Sequence, residues 1–365
     1  MRYAMCTGLA AAALVAAAAA QAAEEKQLNI YNWSDYIAED TISKFEAETG
    51  IDVTYDVYDS NEVLEAKLLA GNTGYDVVVP SMNPFMARQI DAGVYREVDK
   101  SKLSNYGNLD DALLKRAAQH DPGNKYAVPY MWGTTGFAYN VNMIEERMPD
   151  APVDSWDMMF DPDVVSKFAD CGVTFLDAPA EVFPAAINYI GGDPDTTDTA
   201  WIDKALEQLM KVRPYIKYFH SSQNINDLAN GDICLAMGWS GDMFIAKDRA
   251  AAAGEGVEIR YVIPQEGAVM WFDMMGIPAD APHPNNAHKF IDFILRPEIA
   301  ADISNYVWYA NANEAALPYV DEEVRENPAI YPPPEVKENL FVPPVKPQDF
   351  ARSRTRAFTR LKTGQ

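Results

Sequence analysis

Five short segments between residues 28 and 80 constrain this chain's fold more than any other feature. Residues 28–33 (LNIYNW) read as a strand. Residues 41–49 set Ile42, Phe45 and Ala47 at helical spacing and stop at Gly50, a favourable residue just past a helix end. Residues 51–58 alternate between apolar and polar, as a strand does. Asp59, with Glu62 three residues on, resembles a capping box, and Val63, Leu64, Lys67 and Leu68 continue a helix that Gly71 closes. Residues 75–80 (YDVVVP) form a near-continuous apolar run, expected of a strand buried on both faces. Strand, helix, strand, helix, strand predicts a parallel α/β sheet. Such sheets bind ligands at the C-terminal ends of their strands. Trp33, Ser34, Asp35 and Tyr36 follow the first strand and Ser81 follows the third, so both segments are expected at one cleft edge.

Further on, residues 126–140 hold two strand-like pieces around Trp132 and Gly133, and residues 200–211 read as a helix. Residues 232–239 (DICLAMGW) form a buried strand that runs into Gly-Trp-Ser-Gly-Asp. Residues 258–264 form another, followed by Trp271, Phe272 and Asp273. Residues 287–295 form a helix stopped by Pro297. Residues 328–347 hold seven prolines and read as an ordered wrap or a connector.

The N-terminus stands apart. Arg2 precedes an apolar stretch over residues 8–20, too short to span a membrane, and Ala20-Gln21-Ala22 fits a secretory cleavage site. Residues 1–22 are therefore read as a signal peptide, with cleavage after Ala22 or Ala23 and the mature chain exported. Cys6 leaves with it. Cys171 and Cys234 remain as the one possible pair in an exported chain, the alternative being two buried free thiols.

Acidic residues outnumber basic ones 54 to 30, for a formal net charge of −24. Nucleic acids and anionic membranes are held by basic footprints, so both are disfavoured. A cationic ligand is favoured, because a field of one sign speeds encounter with its opposite. The sequence has no GxGxxG, P-loop or HExxH pattern. Gly238-Trp239-Ser240-Gly241-Asp242 resembles a nucleophile elbow but carries Asp242 where the last glycine is needed. The four histidines have no metal-ligand spacing, and neither a metal nor a cofactor is expected.

An indole stands near a carboxylate three times: Trp33 and Asp35, Trp239 and Asp242, Trp271 and Asp273. Each pair follows a predicted strand. An ammonium over an indole face gains about 0.5–2 kcal/mol. A carboxylate accepting from it adds about 1.5–3 kcal/mol. Rings that cover methylene groups contribute about 0.8 kcal/mol for each. A ligand with amines spaced along an alkyl chain uses all three. Core tryptophans beside surface aspartates are the plainer reading, and spacing alone leaves the two balanced.

The segments IYNWSDYI, YDVVVPS, PYMWGTTGFAYN, DCGVTFLDAPAEVF, YFHSSQNINDLANGDICLAMGWSGD and WYANANEAA closely resemble the periplasmic polyamine-binding proteins of ABC importers. The resemblance covers essentially the whole chain after residue 23. It implies a two-lobed type II periplasmic binding fold, each lobe α/β, with three crossings near Trp132, Pro264 and Tyr309. Residues 24–131 and 264–308 would form one lobe, and residues 132–263 and 309–365 the other. The implied ligand set is Trp33, Ser34, Asp35, Tyr36 and Ser81, with Glu181 of APAEVF, Trp239 and Asp242 of GWSGD, Trp271, Asp273, and Tyr309 of YANAN. The family's cysteine pair falls on Cys171 and Cys234. The expected protein is a monomeric binding component serving an inner-membrane permease, and not an enzyme. Trp271 stands where putrescine-preferring members carry Phe, and the match is read as closest to the spermidine-preferring member. Four carboxylates, Asp35, Glu181, Asp242 and Asp273, would serve spermidine's three amines. Putrescine, another cation or a sugar, and a hydrolase using paired carboxylates are the alternatives.

Overall fold

The computed structural model describes residues 24–365. The expected signal peptide lies outside the described residues. Among these, no helix is long and apolar enough to cross a membrane.

The parallel sheet predicted for the first eighty residues is present. Strand β1 (Gln27–Trp33) pairs in parallel with β2 (Asp52–Tyr58) and with β3 (Val77–Val78). Helices Thr41–Thr49 and Asn61–Ala70 connect them. The second helix begins differently from expectation. Ser60 caps it, its hydroxyl accepting from the Val63 amide at 3.3 Å, so Asp59 is free of capping.

Residues 126–140 are not two pieces but one strand, β4 (Ala127–Asn140), buried along its whole length. The indole of Trp132 and the bare Gly133 look like an interruption in sequence, yet the strand runs through them because other strands flank both halves. Beyond it come β5 (Val173–Phe175), β6 (Ile216–Phe219), β7 (Leu235–Trp239), β8 (Ile259–Val262), β9 (Val269–Gly276) and β10 (Ala310–Asn311). The principal order is β2-β1-β3-β9-β4-β7-β5-β6. β5 is parallel to β6 and β7, giving a second parallel set. Between the sets lie two antiparallel strands. β4 pairs with β9 along Ala127–Thr135 and with β7 along Thr135–Tyr139. The two sets, each with its own helices, form two lobes, and β4 runs from one to the other.

The apolar side chains pack into two clusters. Leu28, Ile30, Phe45, Val78 and Phe290 belong to one cluster. Phe137, Trp156, Phe160, Phe175 and Leu206 belong to the other. Each such side chain stabilises by about 1.5–3 kcal/mol when fully buried. Cys171 and Cys234 are joined by a disulfide at the start of β5 and β7. A loop of that length is worth about 4 kcal/mol on the chain-entropy account.

The C-terminal residues 309–365 do not pack as one piece. β10 pairs with β4 at Met131 and Trp132, and Ala312, Ala316 and Val324 join the first cluster. β10 takes the free edge that β4 offers beside Met131 and Trp132. The proline-rich stretch then returns, with Phe341 exchanging backbone hydrogen bonds with Ala268 and Met270 at 3.0 and 2.8 Å. The last helix, Gln348–Thr363, buries Phe350, Phe358 and Leu361 in the second cluster.

Candidate functional site

The C-terminal ends of both parallel sets open on one cleft between the lobes. It encloses about 430 Å3, part of it open to solvent. Ten of the eleven residues singled out in the sequence line it: Trp33, Ser34, Tyr36, Ser81, Glu181, Trp239, Asp242, Trp271, Asp273 and Tyr309. The reason is local. β1 ends at Trp33, β3 is followed by Ser81, and β7 ends at Trp239. On β9, the two-residue period turns Trp271 and Asp273 to the same face.

Asp35 is the exception. It is exposed, in a left-handed conformation (φ 54°), and its carboxylate accepts from Arg249 Nη2 at 2.6 Å. Asp35 is therefore engaged by Arg249 and does not line the cleft. Four further residues do: Asp59, Asn61, Ser221 and Ser222. All follow the parallel strands β2 and β6, so the strand-end rule applied to every strand finds them. Asp59 was absorbed by the capping reading, and the serines stood unassigned in YFHSSQN.

The aromatic walls interlock. Trp33 and Trp239 face edge-on across the cleft with ring centres 5.4 Å apart, and Tyr309 stands edge-on to Tyr36 at 5.1 Å and to Trp271 at 5.3 Å. Protein contacts hold them. Trp33 Nε1 donates to the Val79 carbonyl at 2.8 Å. The Tyr130 hydroxyl donates to the Tyr36 carbonyl at 2.6 Å. The Tyr309 hydroxyl accepts from the Asp242 amide and donates to the Asp242 carboxylate at 2.8 Å. The indole of Trp271 lies over Gly133, where a Cβ would come within 2.7 Å of its ring. Trp271 Nε1 and the Tyr36 hydroxyl are buried without hydrogen-bond partners.

Three carboxylates converge on this space. Asp242 and Asp273 are 7% and 3% exposed, and Glu181 is partly buried. Asp273 accepts from the Ser81 hydroxyl at 2.6 Å, and Asn61 donates to the same hydroxyl at 2.9 Å. Glu181 accepts from the Thr135 hydroxyl at 2.7 Å. Among the described residues none of the three forms an ion pair. Burial pushes each of them up to about 7, against the pull of these hydroxyl donors. The cleft thus holds three carboxyl groups whose ionisation near neutral pH is opposed by burial and supported by no ion pair. The histidines serve elsewhere: His220 Nδ1 accepts from the Ser222 and Gln223 amides, and His283 meets Asp76. No cluster able to hold a metal occurs among the described residues.

The family model for bacterial extracellular solute-binding proteins matches residues 40–332. The chain belongs to that family. A putrescine-binding periplasmic protein of Escherichia coli strain K12 is 54% identical over 362 residues, 98% of each chain. The spermidine/putrescine-binding periplasmic protein of the same strain is 34% identical over 333 residues, 91% of this chain and 90% of that one. A solved structure from Listeria monocytogenes is 32% identical with a TM-score of 0.83, covering 93% of this chain and all of that one. These solute-binding relatives settle two points. The chain is a solute-binding protein and not a hydrolase. Its sequence also stands nearer the putrescine-binding relative than the spermidine/putrescine one, so the match to the spermidine-preferring member is not borne out. Trp271 packs over Gly133 and against Tyr309 and also lines the cleft.

Proposed function

We propose that this protein captures a polyamine in the periplasm, putrescine in preference to spermidine, and delivers it to an ABC permease of the inner membrane. The observation that carries this reading is the set of three desolvated carboxylates with no cation of their own, walled by indoles and phenols. Asp242 and Asp273 would take ammonium groups. Glu181, Ser81 and the Tyr36 hydroxyl would add polar contacts, and Trp33, Trp239, Trp271 and Tyr309 would cover the methylenes. Asp59, Ser34 and the Ser221–Ser222 pair would complete the rim.

Two considerations favour the diamine. The relative with higher identity is named for putrescine. Asp35, counted among the partners of a triamine, is already held by Arg249. Closure would follow from charge. Without ligand the carboxylates are better hydrated in an open cleft. A dication neutralises them and bridges the lobes, which favours the closed form by its differential affinity.

A thermal-shift screen tests the ligand class. Putrescine and its homologues should raise the melting temperature, because a ligand held only by the folded state stabilises it. Sugars and neutral amino acids should leave it unchanged. Stabilisation by a sugar, with none by any polyamine, would overturn the reading.

A further inference from the structure

A groove of about 1700 Å3, part of it open to solvent, lies between the helix Asn61–Ala70 and the C-terminal helix Gln348–Thr363. It shares no lining residue with the cleft. Its charge runs against that of the chain. Acidic residues outnumber basic ones 54 to 30 overall. The charged residues that line the groove are five basic, Arg88, Lys346, Arg352, Arg354 and Arg356, and two acidic, Glu62 and Glu65.

Arg354 differs from the other cations. It is 5% exposed, and its Nε has no hydrogen-bond partner. Among the described residues it enters no ion pair. A guanidinium held out of water without a counter-charge is costly to fold around. Arg88, by contrast, grips Glu65 through both guanidinium edges, which takes that carboxylate out of the balance. Lys346 donates to the carbonyls of Pro194 and Thr196 at 2.9 Å each, and carbonyls leave its charge uncompensated. Arg352 and Arg356 are exposed and stand about 6 Å apart on one face of the helix, as residues four apart do. Beside the Arg88–Glu65 pair, the lining therefore holds four cations against Glu62 alone.

We propose that this groove binds a small polyanion carrying carboxylate or phosphate groups, with Arg354 as its buried anchor and Arg352 and Arg356 at its mouth. A guanidinium matches either group with two parallel N–H···O bonds. Burial shields that attraction from salt. Chloride can answer one cation at a time. An anion with two or three charged groups can meet Arg354 and reach the exposed arginines as well. Glu62 opposes such a ligand and limits its affinity. The site is separate from the polyamine cleft and does not depend on what that cleft takes.

Calorimetry and scanning fluorimetry on the full mature chain test this, with citrate and inorganic phosphate as probes and sodium chloride holding the ionic strength constant. Citrate should bind once per chain and raise the melting temperature, as a ligand of the folded state does. Phosphate should do the same more weakly. Arg354→Met should weaken citrate at least about tenfold, the loss expected when a charged hydrogen-bond partner goes. The double variant Arg352→Gln, Arg356→Gln should weaken it less, because exposed charges are hydrated. Glu62→Gln should tighten it. Putrescine binding should be the same in all of them. No binding of either probe beyond the effect of chloride would overturn the proposal, as would unchanged citrate affinity in folded Arg354→Met. Should Arg354→Met fail to fold, the other two variants decide, and unchanged citrate affinity in either would overturn it.

Discussion

Asp273 is a buried carboxylate of the cleft, proposed to take an ammonium group. It is held by Ser81, unpaired with any cation, and shifted to about 7 by burial. Asp273→Asn keeps the shape and removes the charge. Calorimetry should show a loss of about 1.5–3 kcal/mol for putrescine and spermidine alike, roughly 10- to 150-fold in affinity. The ligand-free variant should melt no lower than wild type, since an uncompensated buried charge has gone. A variant that melts lower and binds normally would make Asp273 a structural residue. Trp271 is a different case. Its indole packs on Tyr309 and over Gly133, so it is a common wall of the cleft. Trp271→Phe should weaken both polyamines by a similar factor, about 5- to 30-fold. A loss confined to spermidine would restore the length argument. Asp242 and Asp273 were legible in the sequence because each stands near an indole, although the structure puts Asp242 just past the end of β7 and Asp273 inside β9 and not after a strand. Asp35 fits the same pattern and fails, because its partner Arg249 lies 214 residues away. No local spacing reveals that.

Most elements were legible for a physical reason: strands buried on both faces leave apolar runs, and helices leave caps. The long β4 was not, because a glycine under an indole looks like a break until β9 is seen to place Trp271 above it. Nor was β10, whose two residues carry no periodicity at all. Close packing at a second glycine gives a test at this scale. A Cβ on Gly241, at the start of the helix Ser240–Ala253, would come within 2.3 Å of the Tyr309 ring. Gly241→Ala should push that ring off Asp242, costing about 1–3 kcal/mol of stability as overpacking does. Putrescine affinity should fall at least tenfold. Unchanged binding by calorimetry would mean that Tyr309 is not fixed by this contact.

At the scale of the whole molecule, the proposed function ties the charge of the cleft to closure. Glu181, Asp242 and Asp273 stand near 7 in the ligand-free protein, against ordinary values near 4. For an acid raised by folding, the stability it contributes is fully present below the unfolded value, near pH 4. It is lost as pH rises through about 7. These three groups should therefore make the ligand-free protein less stable at pH 8 than at pH 5.5. A bound dication restores what ionisation removes, so the putrescine-induced rise in melting temperature should grow over that range. A rise that shrinks with pH, read by scanning fluorimetry, would contradict this coupling.

The central claim is that the cleft is a dication site sized for a diamine. Isothermal calorimetry with putrescine and spermidine side by side, on one preparation at pH 7.5, tests it most directly. One site per chain is expected for both, with putrescine at least tenfold tighter, a difference of about 1.4 kcal/mol. Equal affinities, tighter spermidine, or no binding heat from either ligand would contradict it.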